Sequence, residues 1–168
     1  MGGVKRWEIW SAAITIVAGS LLHFVYEWSG GNKLVALFGA VNESTWEHLK
    51  MAFWPAFTIA LIAWLKWGRG RKNFCLAQSA KLYAIPLLII ILFYGYQAIF
   101  GENNLIYDIG TFVLAIIAGH YLSYRLLRSN RDYGAALISG LLILILLLMF
   151  SAFTYWPPDN ILFYNPLS

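Results

Sequence analysis

Apolar residues come in long continuous blocks along the chain, separated by short polar connections. Five blocks approach or reach the ~20 residues with which a helix crosses a bilayer. They lie at about 8–28, 46–66, 82–100, 105–127 and 134–156. The blocks lack the period-two alternation of a barrel strand, so helices are the expected way to span. The pattern predicts an all-α integral membrane bundle of five transmembrane helices, forming a single domain over residues 1–168.

The composition points the same way. The chain is 60% hydrophobic and 12% charged, whereas soluble domains are about half apolar and about a quarter charged. We therefore expect a multi-pass protein whose main partners are membrane lipids, with no nucleic-acid partner. The single cysteine excludes an intramolecular disulfide. The sequence leaves the oligomeric state open.

Lysine and arginine are distributed unevenly between the two ends of the predicted spans. Ten of the twelve lie before span one, between spans two and three, or between spans four and five. Lys81 is counted in the connection between spans two and three. Only Lys33 and Lys50 belong to the other end. Because positive residues are enriched in cytoplasmic connections, the N-terminus is predicted to be cytoplasmic and the C-terminus external, in a bacterial-type cell membrane.

Polar residues gather in residues 42–50, directly before the apolar part of span two. Ser44 followed by Glu47 has the form of a capping box, and that explains these two residues as a helix start. A helix start does not explain Glu43, His48 and Lys50. The stretch is therefore interpreted equally as a helix start and as a ligand site. The preceding residues 34–41 are apolar but too short to cross, so they lie in the interface or form a re-entrant segment.

Further ionisable residues fall at the same depth. His23 and Glu27 are four residues apart in the outer third of span one, and Asp108 lies in the first turns of span four. The helix dipole alone could explain Asp108. His120 lies roughly 13 Å or more from the level of His23, which argues against a bis-histidine haem.

These positions predict a polar cavity open to the external side. The candidate ligand-binding residues are His23, Glu27, Asn42, Glu43, Glu47, His48, Lys50 and Asp108. Two histidines with carboxylates suit zinc or a similar divalent ion, and the candidate metal ligands are His23, Glu27, Glu47 and His48. No catalytic residue can be assigned.

Two stretches, HFVYEW at 23–28 and VNESTWEHLK at 41–50, resemble a family of small bacterial membrane proteins of unknown function. The resemblance implies that the polar residues of both stretches belong to the family's pattern, but it implies no activity. Trp46-Glu47-His48-Leu49 is also similar to a motif of the progestin and adiponectin receptor family of membrane zinc hydrolases. Here Glu43 stands too close to that motif, and the histidines expected in a late span are absent.

Three functions remain open at this point. The first is binding or transport of a small polar or cationic ligand, a divalent metal among them. The second is a metal-dependent membrane hydrolase acting near the outer membrane surface. The third is a structural or assembly protein whose polar groups only hold the helices together.

Overall fold

The computed structural model describes residues 2–101 and 104–165, and these residues form five long helices without any strand. They are α1 (Gly2–Trp28), α2 (Thr45–Ala63), α3 (Phe74–Phe100), α4 (Leu105–Leu127) and α5 (Ala136–Tyr155). Each is long and apolar enough to cross a membrane. The predicted all-α, five-helix membrane architecture is confirmed at this level. Glu102 and Asn103, in the predicted turn between spans three and four, lie outside the described residues, and Asn104 caps α4 by accepting a hydrogen bond from Ile106 N.

The third helix begins earlier than hydropathy suggests, at Phe74 instead of near residue 82. Asn73 precedes it in the left-handed region, with φ of 58°. The Asn73 side chain donates to Arg131 O at 2.8 Å and accepts from Tyr133 N at 3.1 Å, which ties this helix start to the α4–α5 connection. Lys81 therefore lies inside α3 and is buried, so its placement in a solvated connection was wrong.

α2 is the most deeply buried helix of the bundle. α1 and α3 both pack against it, α4 packs against α1 and α3, and α5 packs mainly against α3. Trp46, Phe53 and Phe150 stack at the centre with ring centroids 4.4–4.7 Å apart. Aromatic rings in such offset arrangements add to the apolar packing between helices.

The connection between α1 and α2 runs back alongside these helices. It forms a short 3-10 turn at Val35–Leu37, and Ala40 N donates to Leu22 O at 3.3 Å. Phe38 packs on Trp54, deep along α2, with centroids 4.8 Å apart. Residues 34–41 thus lie beside the bundle at the depth of Leu22 and do not cover its end.

The points at which the helices begin and end define two ends of the bundle. We call the N-terminal end the one at which α1 begins and α4 ends, where Glu8 meets His120. We call the C-terminal end the one at which α1 and α5 end and α2 begins, where Tyr155 donates to Lys33 O at 2.8 Å.

Candidate metal centre

Two histidines and one carboxylate meet at the C-terminal end of the bundle. His23 Nε2 lies 3.7 Å from Glu43 Oε1, and His48 Nε2 lies 3.6 Å from Glu43 Oε2. One ligand atom from each residue can be chosen so that all three lie within 4.8 Å of one another. We call these three residues the histidine site.

Local structure aims these side chains at one another. His23 projects from the last turns of α1, while Asn42 Oδ1 accepts from Ser44 N at 2.9 Å and so forms the turn that carries Glu43. His48 Nδ1 lies 2.9 Å from Ser44 O. A carbonyl oxygen can only accept, so Nδ1 of His48 carries a proton and donates it. In the neutral ring, the lone pair is then on Nε2, the atom that faces Glu43.

The distances suit a shared cation better than direct hydrogen bonds. Separations of 3.6–3.7 Å between ring nitrogen and carboxylate oxygen exceed hydrogen-bond length. Zinc ligands bound at ~2.0–2.2 Å in a tetrahedron lie ~3.4 Å apart. Each histidine is thus within a few tenths of an ångström of this spacing from one Glu43 oxygen, but the two contacts use different oxygens. Binding one ion would also require the three ligand atoms, now within 4.8 Å of one another, to move closer together.

The site is accessible and has one neighbouring carboxylate. The side chains of His23, His48 and Glu43 are 31%, 35% and 41% exposed. Asp108, at the start of α4, is half-buried and interacts electrostatically with His48. Three protein ligands with one open position is the arrangement of catalytic and exchangeable zinc sites.

Glu47 and Lys50 form a separate buried pair. Lys50 Nζ lies 2.7 Å from Glu47 Oε2 and donates to Ala36 O at 2.8 Å and to Thr154 Oγ1 at 3.2 Å. Glu47 Oε2 also accepts from Val41 N at 2.8 Å. The structure therefore directs Glu47 away from the histidines. Ser44 begins α2 without a side-chain cap, so the predicted capping box does not form.

The other two sequence-predicted residues lie at the margin of the site. Glu27 is exposed, and the structure pairs it with no other side chain among the described residues. Asn42 is exposed and acts on the site only through the turn that it stabilises. The structure thus brings His23, Glu43 and His48 together, with Asp108 in electrostatic range of His48, and it leaves Glu27, Glu47 and Lys50 apart from them.

A second group of polar residues, which was not predicted from the sequence, is buried near the N-terminal end of the bundle. Glu8 is 3% exposed, its Oε2 lies 2.6 Å from His120 Nδ1, and its Oε1 accepts from Ser123 Oγ at 2.9 Å. Lys81 Nζ lies 4.0 Å from Glu8 Oε2. Gln78 Nε2 donates to Ser123 Oγ at 3.3 Å, and Thr15 Oγ1 lies 3.5 Å from His120 Nε2. We call these six residues the Glu8 cluster.

A periodic signal in α1 could have revealed this cluster. The buried residues of α1 are Glu8, Ser11, Thr15 and Gly19, which recur at helical spacing on one face. The most deeply buried line of α1 is thus small and polar, while Trp10, Ile14 and Val17 are among its exposed apolar residues. Such a stripe in a membrane helix marks a protein-facing side.

Residues 1–168 match the family of unknown function DUF6512, and the chain belongs to this family. Neither a search of curated proteins nor one of solved structures finds a match.

Proposed function

We propose that this member of DUF6512 binds a divalent transition-metal cation at the histidine site, with zinc as the best chemical match. The supporting observation is that both imidazole Nε2 atoms face the Glu43 carboxylate and that one ligand atom from each of the three residues lies within 4.8 Å of the others. Imidazole and carboxylate together suit zinc, whereas calcium and magnesium prefer oxygen ligands alone.

The orientation of His48 supports the proposal independently. Metal-binding histidines usually donate their second ring N–H to a carboxylate or a backbone carbonyl, which fixes the tautomer and the ring plane. His48 makes such a contact through Nδ1 to Ser44 O, at 2.9 Å. His23 Nδ1 is buried and has no partner among the described residues. His48 is thus the better prepared of the two ligands.

We further propose that the histidine site faces the outside of a bacterial-type cell membrane. Two lysines, Lys50 and Lys81, are buried and do not contribute to the solvated charge. Of the remaining Lys and Arg side chains in the described residues, all exposed, nine lie at the N-terminal end and only Lys33 at the C-terminal end. The positive-inside rule therefore places the N-terminus in the cytoplasm and the C-terminus outside.

A metal-dependent hydrolase is the second candidate function. It is favoured by the open fourth position of a three-ligand site and by Asp108 beside His48. In such an enzyme the metal would activate a bound water, and a nearby carboxylate would accept its proton. Both candidates share the same metal site, so the first experiment addresses both.

Zinc binding by the purified full-length protein tests the proposal. The protein in detergent is dialysed against limiting zinc and analysed for bound metal, alongside His48→Gln, Glu43→Gln and Glu27→Gln. We expect one zinc per chain in the parent. Affinity should fall by roughly tenfold or more in the first two variants, since loss of even an outer-shell partner costs that much. Glu27→Gln, which removes an exposed carboxylate one turn from His23, should bind as the parent does.

Two results would contradict the proposal. The first is a parent protein that retains no zinc at any concentration below about a millimolar, which would leave the three residues as a structural network. The second is equal loss of zinc in Glu27→Gln and Glu43→Gln, which would mean that general negative charge, and not this geometry, attracts the ion.

A further inference from the structure

The Glu8 cluster places one carboxylate between two bases inside the membrane-spanning part of the bundle. Glu8, Lys81 and His120 are each at most 3% exposed. Ionisable side chains at such positions are costly and usually mark proton or ion sites. The cluster lies at the opposite end of α1 from His23 and shares no residue with the histidine site.

We propose that the Glu8 cluster is a buried proton-binding site, which takes up and releases one proton shared between Glu8 and His120. This proposal goes beyond metal binding and does not rest on it.

In the state with the proton absent, Glu8 is ionised and acts only as an acceptor. Ser123 Oγ donates to its carboxylate, and His120 Nδ1 is then the donor of the 2.6 Å contact with Glu8. With Nδ1 donating, a neutral His120 carries its lone pair on Nε2. That atom faces only Thr15 Oγ1, at 3.5 Å, the outer limit of a hydrogen bond. A basic nitrogen is therefore left almost without a donor in a buried position.

Charge balance explains why the proton can be exchanged. Lys81 Nζ lies 4.0 Å from Glu8 Oε2, beyond hydrogen-bond length, while His120 makes the short contact at 2.6 Å. One buried carboxylate can neutralise one cation, and a second uncompensated charge is expensive. The two bases thus compete for Glu8, and the cluster titrates as a coupled unit.

The other helices do not interfere with this balance. Residues 51–63 of α2 and 136–154 of α5 contain no Asp, Glu, Lys, Arg or His. The ionisable groups that face His120 are therefore Glu8 from α1 and Lys81 from α3, with the hydroxyls of Thr15 and Ser123 beside them.

Gln78 leaves an unpaired acceptor beside the cluster. Its Nε2 donates to Ser123 Oγ, while its own Oε1 is buried without a partner among the described residues. A proton given to Ser123 by water is balanced when the Ser123 hydroxyl passes its own proton to Glu8, and release reverses the same transfers.

Histidine ring ¹⁵N spectra of the full chain in detergent test this proposal. A His23→Gln, His48→Gln background leaves His120 as the single histidine, and spectra are recorded from about pH 5 to about pH 9. We expect one reversible transition of the His120 ring nitrogens in this range. Lys81→Met should move the transition to higher pH by about 1 unit or more, because a competing positive charge is removed. Lys66→Met, which changes an exposed lysine at the same end, should leave it in place.

An unchanged His120 spectrum across the whole pH range would overturn the proposal, since it would show a fixed ion pair. This test uses a protein in which all six residues of the Glu8 cluster are unsubstituted. A transition that Lys81→Met and Lys66→Met move equally would also overturn it, because the proton would then sense only the surface charge. Zinc retention by the parent is measured separately, so failure of either proposal leaves the other intact.

Discussion

Lys50 shows how a buried charge can serve structure instead of ligand binding. Its three N–H donors meet three acceptors, on Glu47, Ala36 and Thr154. These acceptors belong to α2, to the α1–α2 connection and to α5. The ammonium group therefore links three parts of the chain, and one of them is the α1–α2 connection that contains Glu43.

Replacing Lys50 by Met should strongly destabilise the protein. The substitution leaves the Glu47 carboxylate buried without its counter-ion, which typically costs about 3–5 kcal/mol. Lys33→Met, at an exposed lysine of the same connection, should change stability by no more than about 0.5 kcal/mol. Reversible unfolding in detergent measures both. If Lys50→Met unfolds at the same denaturant concentration as Lys33→Met, the contacts of the Lys50 ammonium group do not contribute to stability.

Some residue contacts followed from the sequence and others did not. Counting the helical rise from each span end placed His23, Glu43 and His48 in one layer, and the structure brings them together. The same count gave equal weight to Glu47, because depth does not determine which way a side chain turns. That direction depends on Val41 N and Lys50, which the fold brings to the Glu47 carboxylate.

At the level of the helices, hydropathy predicts which segments span but not which faces pack. The predicted fourth and fifth spans agree with α4 and α5 to within about two residues at each end. The start of α3 was missed because Gln78, Ser79 and Lys81 are polar yet buried. Polar residues continue a membrane helix at low cost when neighbouring helices supply their partners.

Close helix packing follows from small residues on α1 and α4. A Cβ added at Gly19 would lie 2.8 Å from the backbone oxygen of Met51, and one at Gly119 would clash with Ile85 Cγ1. Only glycine lets α1 approach α2, and α4 approach α3, this closely. The sequence contains both glycines, but a single sequence does not show which glycines lie at a helix contact.

For the whole molecule, the orientation in the membrane decides from which side of the membrane a ligand can reach the histidine site. We expect a cysteine placed at Lys33, in a Cys75→Ser background, to react with an impermeant maleimide added to intact bacterial cells. A cysteine at Arg71 should react only after permeabilisation, because exposed positive charge marks its end as cytoplasmic. Labelling of Arg71→Cys in intact cells would show that the topology is the reverse of the predicted one and that the histidine site faces the inside.

The identity of the metal ligands decides whether the histidine site is the metal site of this protein. X-ray absorption at the zinc edge, on the zinc-loaded full-length protein, reports the atoms bound directly to the ion. We predict two imidazole nitrogens at ~2.0–2.1 Å with oxygen in the remaining positions and no sulfur. One imidazole signal should be lost in His48→Gln and both retained in Glu27→Gln. A first shell without imidazole scattering, or with sulfur from Cys75, would contradict the proposed site.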